Sequence, residues 1–291
     1  MEHSWIIAFF SIFATFFLWN DNLSPVGSLT GFVSFFMTEN RPYILISNDD
    51  GYQAGGINFL IDTLKSVADL LVVAPDGPRS GFSTAITSAH PIHAVLIRKE
   101  PGLTVYACSG TPTDCVKLAL NRYIERRPDL VIGGINHGDN SSVNAHYSGT
   151  MGVVQEAAMQ GLPAVAFSLC DMSAKADFTP LRPYLIDITM KALMAGLPEF
   201  TCLNVNFPKC PKFEGVRICR MARSRWEKDI KDLDNAGRSG NWYWLVGDCQ
   251  ELEPNATDTD RWALSHGYVA ITPTTLDNTA TRLMPMLKSL F

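Results

Sequence analysis

Two adjacent carboxylates, Asp49 and Asp50, end the apolar run 44–47 and are followed by Gly51. Like charges side by side disfavour each other's ionised form unless a cation lies between them. Neighbouring side chains on a strand point to opposite faces, so both acids reach one point only if the chain bends. Gly51 permits such a bend. Paired carboxylate oxygens select a hard cation such as Mg²⁺ or Mn²⁺. The plainer alternative is a turn in which Asp49 caps the next helix.

Two further loops carry polar groups. The stretch 74–84 offers the hydroxyls of Ser80 and Ser83, with Gly77 and Gly81 keeping the backbone open and Arg79 able to reach a phosphate. The stretch 133–150 is crowded with amides, acids and glycines, and also holds His137 and His146. It is too long and too polar for a mere connector. Its last residues, Ser148-Gly149-Thr150, open a helix whose first N–H groups form an anion site, and an ordinary Ser/Thr cap there is compatible with that role. A dicarboxylate facing amides, hydroxyls and a helix N-terminus calls for a cation and a phosphate together. Neither G-x-G-x-x-G nor a Walker motif occurs, which argues against a dinucleotide or P-loop site.

The elements that must position these loops alternate in type. Residues 43–48 read as a buried strand. The helix that follows has one apolar face, made by Ile57, Leu60, Ile61, Leu64 and Val67. Residues 70–75 form a second strand, parallel to the first. Thr111 as N-cap, Pro112 at the first position and Asp114 in the first turn open another helix. A strand at 129–134, a helix ending at Gly161 and a strand at 163–169 continue the alternation. The implied class is α/β: a Rossmann-like, doubly wound, mostly parallel sheet. After residue 200 the long helices cease. Strands in "CLNVNFP", "GVRICRM" and "GYVAITP" flank a polar stretch containing Trp226, Trp242, Trp244 and Trp262, and a tail helix is broken by Pro285. This predicts a β-hairpin-rich C-terminal extension whose tryptophans either meet another subunit or pack their own hairpin. The expected organisation is 1–36 as an N-terminal extension, 37–200 as the core and 201–291 as the extension for oligomerisation.

The chain has 291 residues, 46% hydrophobic and 18% charged, and a net charge of −5 with no basic run, which argues against a partner of duplex nucleic acid. Seven cysteines without a C-x-x-C spacing read as free thiols in a reducing, cytoplasmic setting, with a Cys210–Cys219 disulfide the lesser alternative. The apolar segment within residues 1–36 is short for a membrane span and lacks a preceding basic residue. It is expected to be a start assigned upstream of Met37, with a signal anchor as the alternative, and no membrane contact is expected of the mature form.

The motifs "SNDDG" (47–51), "VVAPD…RSG" (72–81), "GTPTDCV" (110–116), "GIN.G.N" (134–140), "YSGT" (147–150), "LNVNFP" (203–208) and "DTD..AL..GYVAITP" (258–273) resemble the SurE family, survival protein E. The resemblance covers about residues 41–280 and implies a metal-dependent phosphatase acting on nucleoside 5′-, and also 3′-, monophosphates. It implies Asp49, Asp50, Ser80 and Asn136 as ligands of one divalent cation per subunit, Mg²⁺ or Mn²⁺ with Co²⁺ a third option. Asn140, Ser148, Gly149 and Thr150 would hold the phosphate, and Asp49 and Asp50 would be the catalytic pair. A homodimer or homotetramer formed through the C-terminal extension is also implied. The chain departs from the family at Gly55, where a proline is usual, and at Gly133, where a serine is usual. The alternatives are Asp49 as a nucleophile forming an aspartyl-phosphate, and a nucleotide-binding protein without catalysis. His137 or His146 as a general acid is a weaker option.

Overall fold

The computed structural model describes residues 41–234 and 239–291. Both expectations for residues 1–36 fall outside the described residues. The first strand, β1 (Tyr43–Ser47), is buried along its whole length. Ile44 and Ile46 pack into one apolar cluster and Tyr43 and Leu45 into another. Both faces are thus covered, which is why the strand reads as an unbroken apolar run rather than an alternating one. Helix α1 (Gly55–Leu64) buries Ile57, Leu60, Ile61 and Leu64, as the spacing predicts, and Val67 lies beyond its end. Strand β2 (Asp69–Pro75) pairs parallel with β1, Leu45 opposite Leu71.

An irregular stretch leads to a hairpin of β3 (Ala94–Glu100) and β4 (Leu103–Cys108), of which β4 joins β2 in parallel. Helix α2 (Pro112–Leu118) begins with the predicted cap, which is reciprocal. Thr111 Oγ1 accepts from the Asp114 N–H, and the Asp114 carboxylate accepts from the Thr111 N–H. Strand β5 (Leu130–His137), helix α3 (Gly149–Met159), strand β6 (Ala164–Leu169), helix α4 (Arg182–Ala195) and strand β7 (Thr201–Phe207) complete the parallel part. Then follow β8 (Gly215–Ile218), β9 (Ser224–Glu227), β10 (Ile230–Leu233), β11 (Trp242–Leu245), β12 (Asp248–Glu251), α5 (Asp260–Ser265), β13 (Tyr268–Thr275) and α6 (Met284–Leu290).

The main sheet has the order β3-β4-β2-β1-β5-β6-β7-β13-β8, and β9/β12 and β10/β11 form separate two-stranded ribbons. The doubly wound α/β class is as expected. The sheet itself continues past residue 200, since β7, β8 and β13 belong to it. Winding proceeds outward from β1 to β2 and β4 on one side and from β5 to β6 and β7 on the other. The crevice between the carboxyl ends of β1 and β5 is therefore the topological switch point, where such sheets bind ligands. Two local expectations fail. Strand β5 runs on to His137 rather than stopping at Gly134, with its pairing to β6 interrupted between Gly133 and Asn136. Pro285 sits in the first turn of α6, where its missing N–H costs nothing, so it starts the helix instead of breaking it. All seven cysteines are free, including Cys210 and Cys219. No helix among the described residues is long and apolar enough to cross a membrane.

Candidate active site

The bend after β1 is closed by Asn48, whose side chain bridges the turn. Its Nδ2 donates to the Gly51 carbonyl at 3.0 Å and its Oδ1 accepts from the Gly51 N–H at 3.2 Å. Gly51 takes φ +97°, and a Cβ there would lie 3.2 Å from the Gly77 backbone. Glycine is thus needed both for the turn and for the approach of the 74–84 loop. That loop is pinned to the same turn, the Arg79 N–H donating to the Asp49 carbonyl at 2.6 Å.

The two acids then diverge to opposite walls of the crevice. Asp49 is 4% exposed. Its Oδ1 accepts from the Thr150 hydroxyl at 2.6 Å and its Oδ2 from the Gly149 N–H at 3.1 Å. The anion expected at the N-terminus of α3 is, in this structure, the protein's own carboxylate. Close approach requires Gly149, because a Cβ there would come within 2.7 Å of the Asp49 Cβ. Ser148 caps the same helix, accepting from the Met151 N–H at 3.1 Å. Asp50 instead accepts from the His137 N–H of β5 at 3.0 Å. Burial pushes the Asp49 carboxyl up to about 6, against the pull of its bond from Thr150, and Asp50 adds to the rise. Burial also raises Asp50, against the bond from His137.

Asn136, at the bulged end of β5, donates its Nδ2 to the Gly138 carbonyl at 3.0 Å, and its side-chain oxygen accepts no hydrogen bond among the described residues. Ser80 is exposed at the crest of its loop. Arg79 does not face the crevice: its guanidinium lies on Asp76 at 2.9 Å and on the Ser109 carbonyl at 3.3 Å. Asn140 is buried, its Nδ2 donating to Ser168 Oγ at 2.8 Å and its N–H to Asn206 Oδ1 at 2.9 Å. The His137 ring lies edge-on to Phe178, while His146 is exposed and offers only its carbonyl, to Ser83.

The roles of three groups of residues escaped the sequence reading. Ser168, Asn204 and Asn206 form a buried polar lattice under Asn140, with Asn204 Nδ2 on the Asn140 carbonyl at 2.8 Å. The signal was available, since two asparagines two residues apart share one face of an otherwise apolar strand. Asp260, wholly buried, accepts from the N–H groups of Ser142, Ala222 and Arg261 at 2.8, 2.9 and 2.8 Å. Ser224 and Trp226 of β9 reach the same loop, at Ser142 Oγ and Asn144 Oδ1. The C-terminal region thus braces the 139–146 loop of its own chain, besides exposing all of β11.

Fold and site together define an α/β protein with an acidic, oxygen-donor site at the switch point of a Rossmann-like sheet. A family model described as survival protein SurE matches residues 44–228. A Phocaeicola vulgatus protein named 5′-nucleotidase SurE is 53% identical over 253 residues, covering 87% of this chain and 98% of its own. One of the same name from Bacteroides fragilis is 51% identical, with 87% and 99% covered. The crystal structure of the SurE protein from Aquifex aeolicus superimposes with a TM-score of 0.72 at 34% identity, covering 86% of this chain and 99% of that one. The chain belongs to the SurE family.

Proposed function

We propose that the chain is a divalent-metal-dependent 5′-nucleotidase, hydrolysing nucleoside 5′-monophosphates to nucleoside and phosphate, with 3′-monophosphates as a second substrate class. The observation that carries this reading is the pair Asp49 and Asp50, fixed by opposite walls of the crevice, one by the N-terminus of α3 and the other by the end of β5. The donor set fits a hard cation. Both carboxyls are raised by burial, which a cation would reverse, and the Asn136 oxygen and the Ser80 hydroxyl are neutral oxygen donors. Among the described residues no three His, Cys, Asp or Glu side chains cluster, so nitrogen- or sulfur-rich metal chemistry finds no support. Asp49, Asp50, Ser80 and Asn136 would hold Mg²⁺, Mn²⁺ or Co²⁺, which supplies Lewis-acid polarisation of a phosphoryl oxygen and a water of lowered pKa.

The remaining roles belong to the chain's own groups. Asp49 is anchored through both of its oxygens, by the Gly149 N–H and the Thr150 hydroxyl, and from that fixed position it orients the attacking water. Gly149 and Thr150 act on the phosphate through Asp49, by holding it. Ser148 holds their helix start, and the second amide hydrogen of Asn140 is available to a phosphoryl oxygen. The assembly belonging to this reading is a homodimer or homotetramer through the C-terminal region, supported by the exposed Trp242, Tyr243, Trp244 and Leu245. Light scattering after size exclusion would test that. For the activity, phosphate release from AMP should require Mn²⁺ and stop with EDTA. Release indifferent to EDTA, or none from any nucleoside monophosphate, would overturn the proposal.

A further inference from the structure

Between β2 and β3 the chain crosses the rim of the crevice as a strap, residues 76–93, with no strand or helix of its own. Ser80 stands at the exposed crest of a turn in this strap, closed by the Phe82 N–H on the Arg79 carbonyl at 3.4 Å. We infer that Ser83, just past that turn, is a positioning residue for the divalent cation: it sets Ser80 against Asp49 and thereby the affinity for the ion. The inference rests on the metal-dependent reading above and adds to it a residue that touches neither ion nor substrate.

The backbone at Ser83 is the first observation. Its φ is +50°, in the left-handed region that a residue with a Cβ seldom adopts and that persists only where the surroundings fix it. Three contacts fix it here. The Ser83 N–H donates to the Tyr147 carbonyl at 3.1 Å, and its Oγ donates to the His146 carbonyl at 2.7 Å. Its own carbonyl lies against Gly152, where a Cβ would come within 2.2 Å of that oxygen. His146 and Tyr147 lead into the Ser148 cap, and Gly152 belongs to the first turn of α3.

The second observation is what else stands on that turn of helix. Its Gly149 N–H and Thr150 hydroxyl hold the Asp49 carboxylate. The other leg of the strap, Arg79, is tied by its N–H to the Asp49 carbonyl at 2.6 Å. Ser80 therefore hangs between two legs, one fixed to Asp49 itself and the other to the helix start that anchors the Asp49 side chain. Farther along, the Ala85 carbonyl accepts from Thr111 Oγ1 at 2.6 Å and the Thr87 N–H donates to Asp114 at 3.0 Å, so α2 holds the exit of the strap independently of Ser83. Removing the Ser83 hydroxyl thus loosens the turn under Ser80 without releasing the strap. Outer hydrogen bonds that fix metal-binding side chains govern affinity by about tenfold or more.

The test is Mn²⁺ binding to the full chain by titration calorimetry, with stability read by urea unfolding in EDTA. Ser83→Gly suits φ +50°, keeps the N–H bond to Tyr147 and removes only the hydroxyl, so the metal-free midpoint should hold. Its Mn²⁺ dissociation constant should rise about tenfold. Ser83→Ala should weaken binding as much, whereas Thr84→Ala, at the exposed neighbouring position, should leave it within about twofold of the parent. A Ser83→Gly dissociation constant as low as the parent's, equal weakening by Thr84→Ala, or a Ser83→Gly midpoint that falls together with the affinity would overturn the inference while leaving the metal-dependent reading intact. If the unmodified chain binds no Mn²⁺, that reading falls and takes the positioning role with it.

Discussion

Replacing Asp49 with asparagine should abolish turnover and yet stabilise the metal-free fold. The carboxyl is buried, and its pKa is pushed from 3.8 up to about 6. A carboxyl with a raised folded-state value binds its proton more tightly in the folded chain. Its ionisation therefore costs stability progressively as pH rises from about 4 to about 6, and the full cost, about 3 kcal/mol, stands above that range. Asparagine carries no charge at any pH and removes this cost. It can keep both anchors, its oxygen accepting from the Gly149 N–H and its amide donating to the Thr150 oxygen, because a hydroxyl both donates and accepts. Reorienting these bonds returns about 1 kcal/mol of the gain. The net expectation for Asp49→Asn in EDTA is about 2 kcal/mol of added stability at pH 8, crossing zero between about pH 4 and 6 and becoming a deficit of about 1 kcal/mol at the acid end. Urea unfolding across that range measures it, with the midpoint read at constant slope. Mn²⁺ at a hundredfold excess over its dissociation constant should return about 2.7 kcal/mol to the unmodified chain and much less to the variant. A variant less stable than the parent at pH 8 in EDTA, with an unchanged pH slope, would refute the argument that Asp49 is held ionised at a cost.

Three other perturbations follow from the same contacts. Thr150→Val deletes the donor 2.6 Å from Asp49. That bond lowers the carboxyl, so its loss should raise it further and carry the loss of stability with rising pH, read by urea unfolding in EDTA, to higher pH. Gly149→Ala places a Cβ within 2.7 Å of Asp49. In an open helix this exchange gains about 1 kcal/mol, whereas here it should cost about 1–3 kcal/mol by chemical denaturation and most of the activity. Asp260→Ala removes the acceptor of three backbone N–H groups, buried at Ser142 and Ala222 and half-buried at Arg261. It should destabilise by about 3 kcal/mol or more and lower kcat as the 139–146 loop loosens, measured by denaturation and steady-state kinetics.

How much of this was legible depended on whether a feature is local. The capping box at Thr111 and Asp114 was readable because its partners are three residues apart. The strands at 43–48, 70–75 and 163–169 were readable because both their faces are buried. Strand β3 was passed over because it is a sheet edge. Arg98, Lys99 and Glu100 are exposed there and mask the apolar Val95 to Ile97, although Pro101-Gly102 marked the turn. Helix α4 was missed although Leu185, Ile188 and Ala192 fall on one face, since no element was assigned between the strand at 163–169 and residue 200.

The site divides along the same line. That Asp49 and Asp50 sit at a strand end could be read from composition and turn chemistry. What each acid is tied to could not, because Gly149 is 100 residues and His137 is 87 residues away in sequence. The brace on the Asn140 loop spans still more, 118 residues from Asp260 to Ser142. A buried carboxylate that collects three backbone N–H groups has no local signature, because any Asp at a helix start looks the same until the fold brings the donors to it. This explains why the C-terminal region read as an oligomerisation surface or a self-packed hairpin, and not as a brace. Its outward residues show themselves by hydrophobicity in a polar stretch, whereas its inward ones, Asp260, Ser224 and Arg261, are ordinary polar residues. Their work is visible only once the chain has closed on the phosphate loop. Replacing Ser224 with alanine together with Trp226 by phenylalanine should therefore lower kcat in steady-state assays while light scattering shows the assembly unchanged, because Ser142 Oγ and Asn144 Oδ1 would lose the partners that fix them.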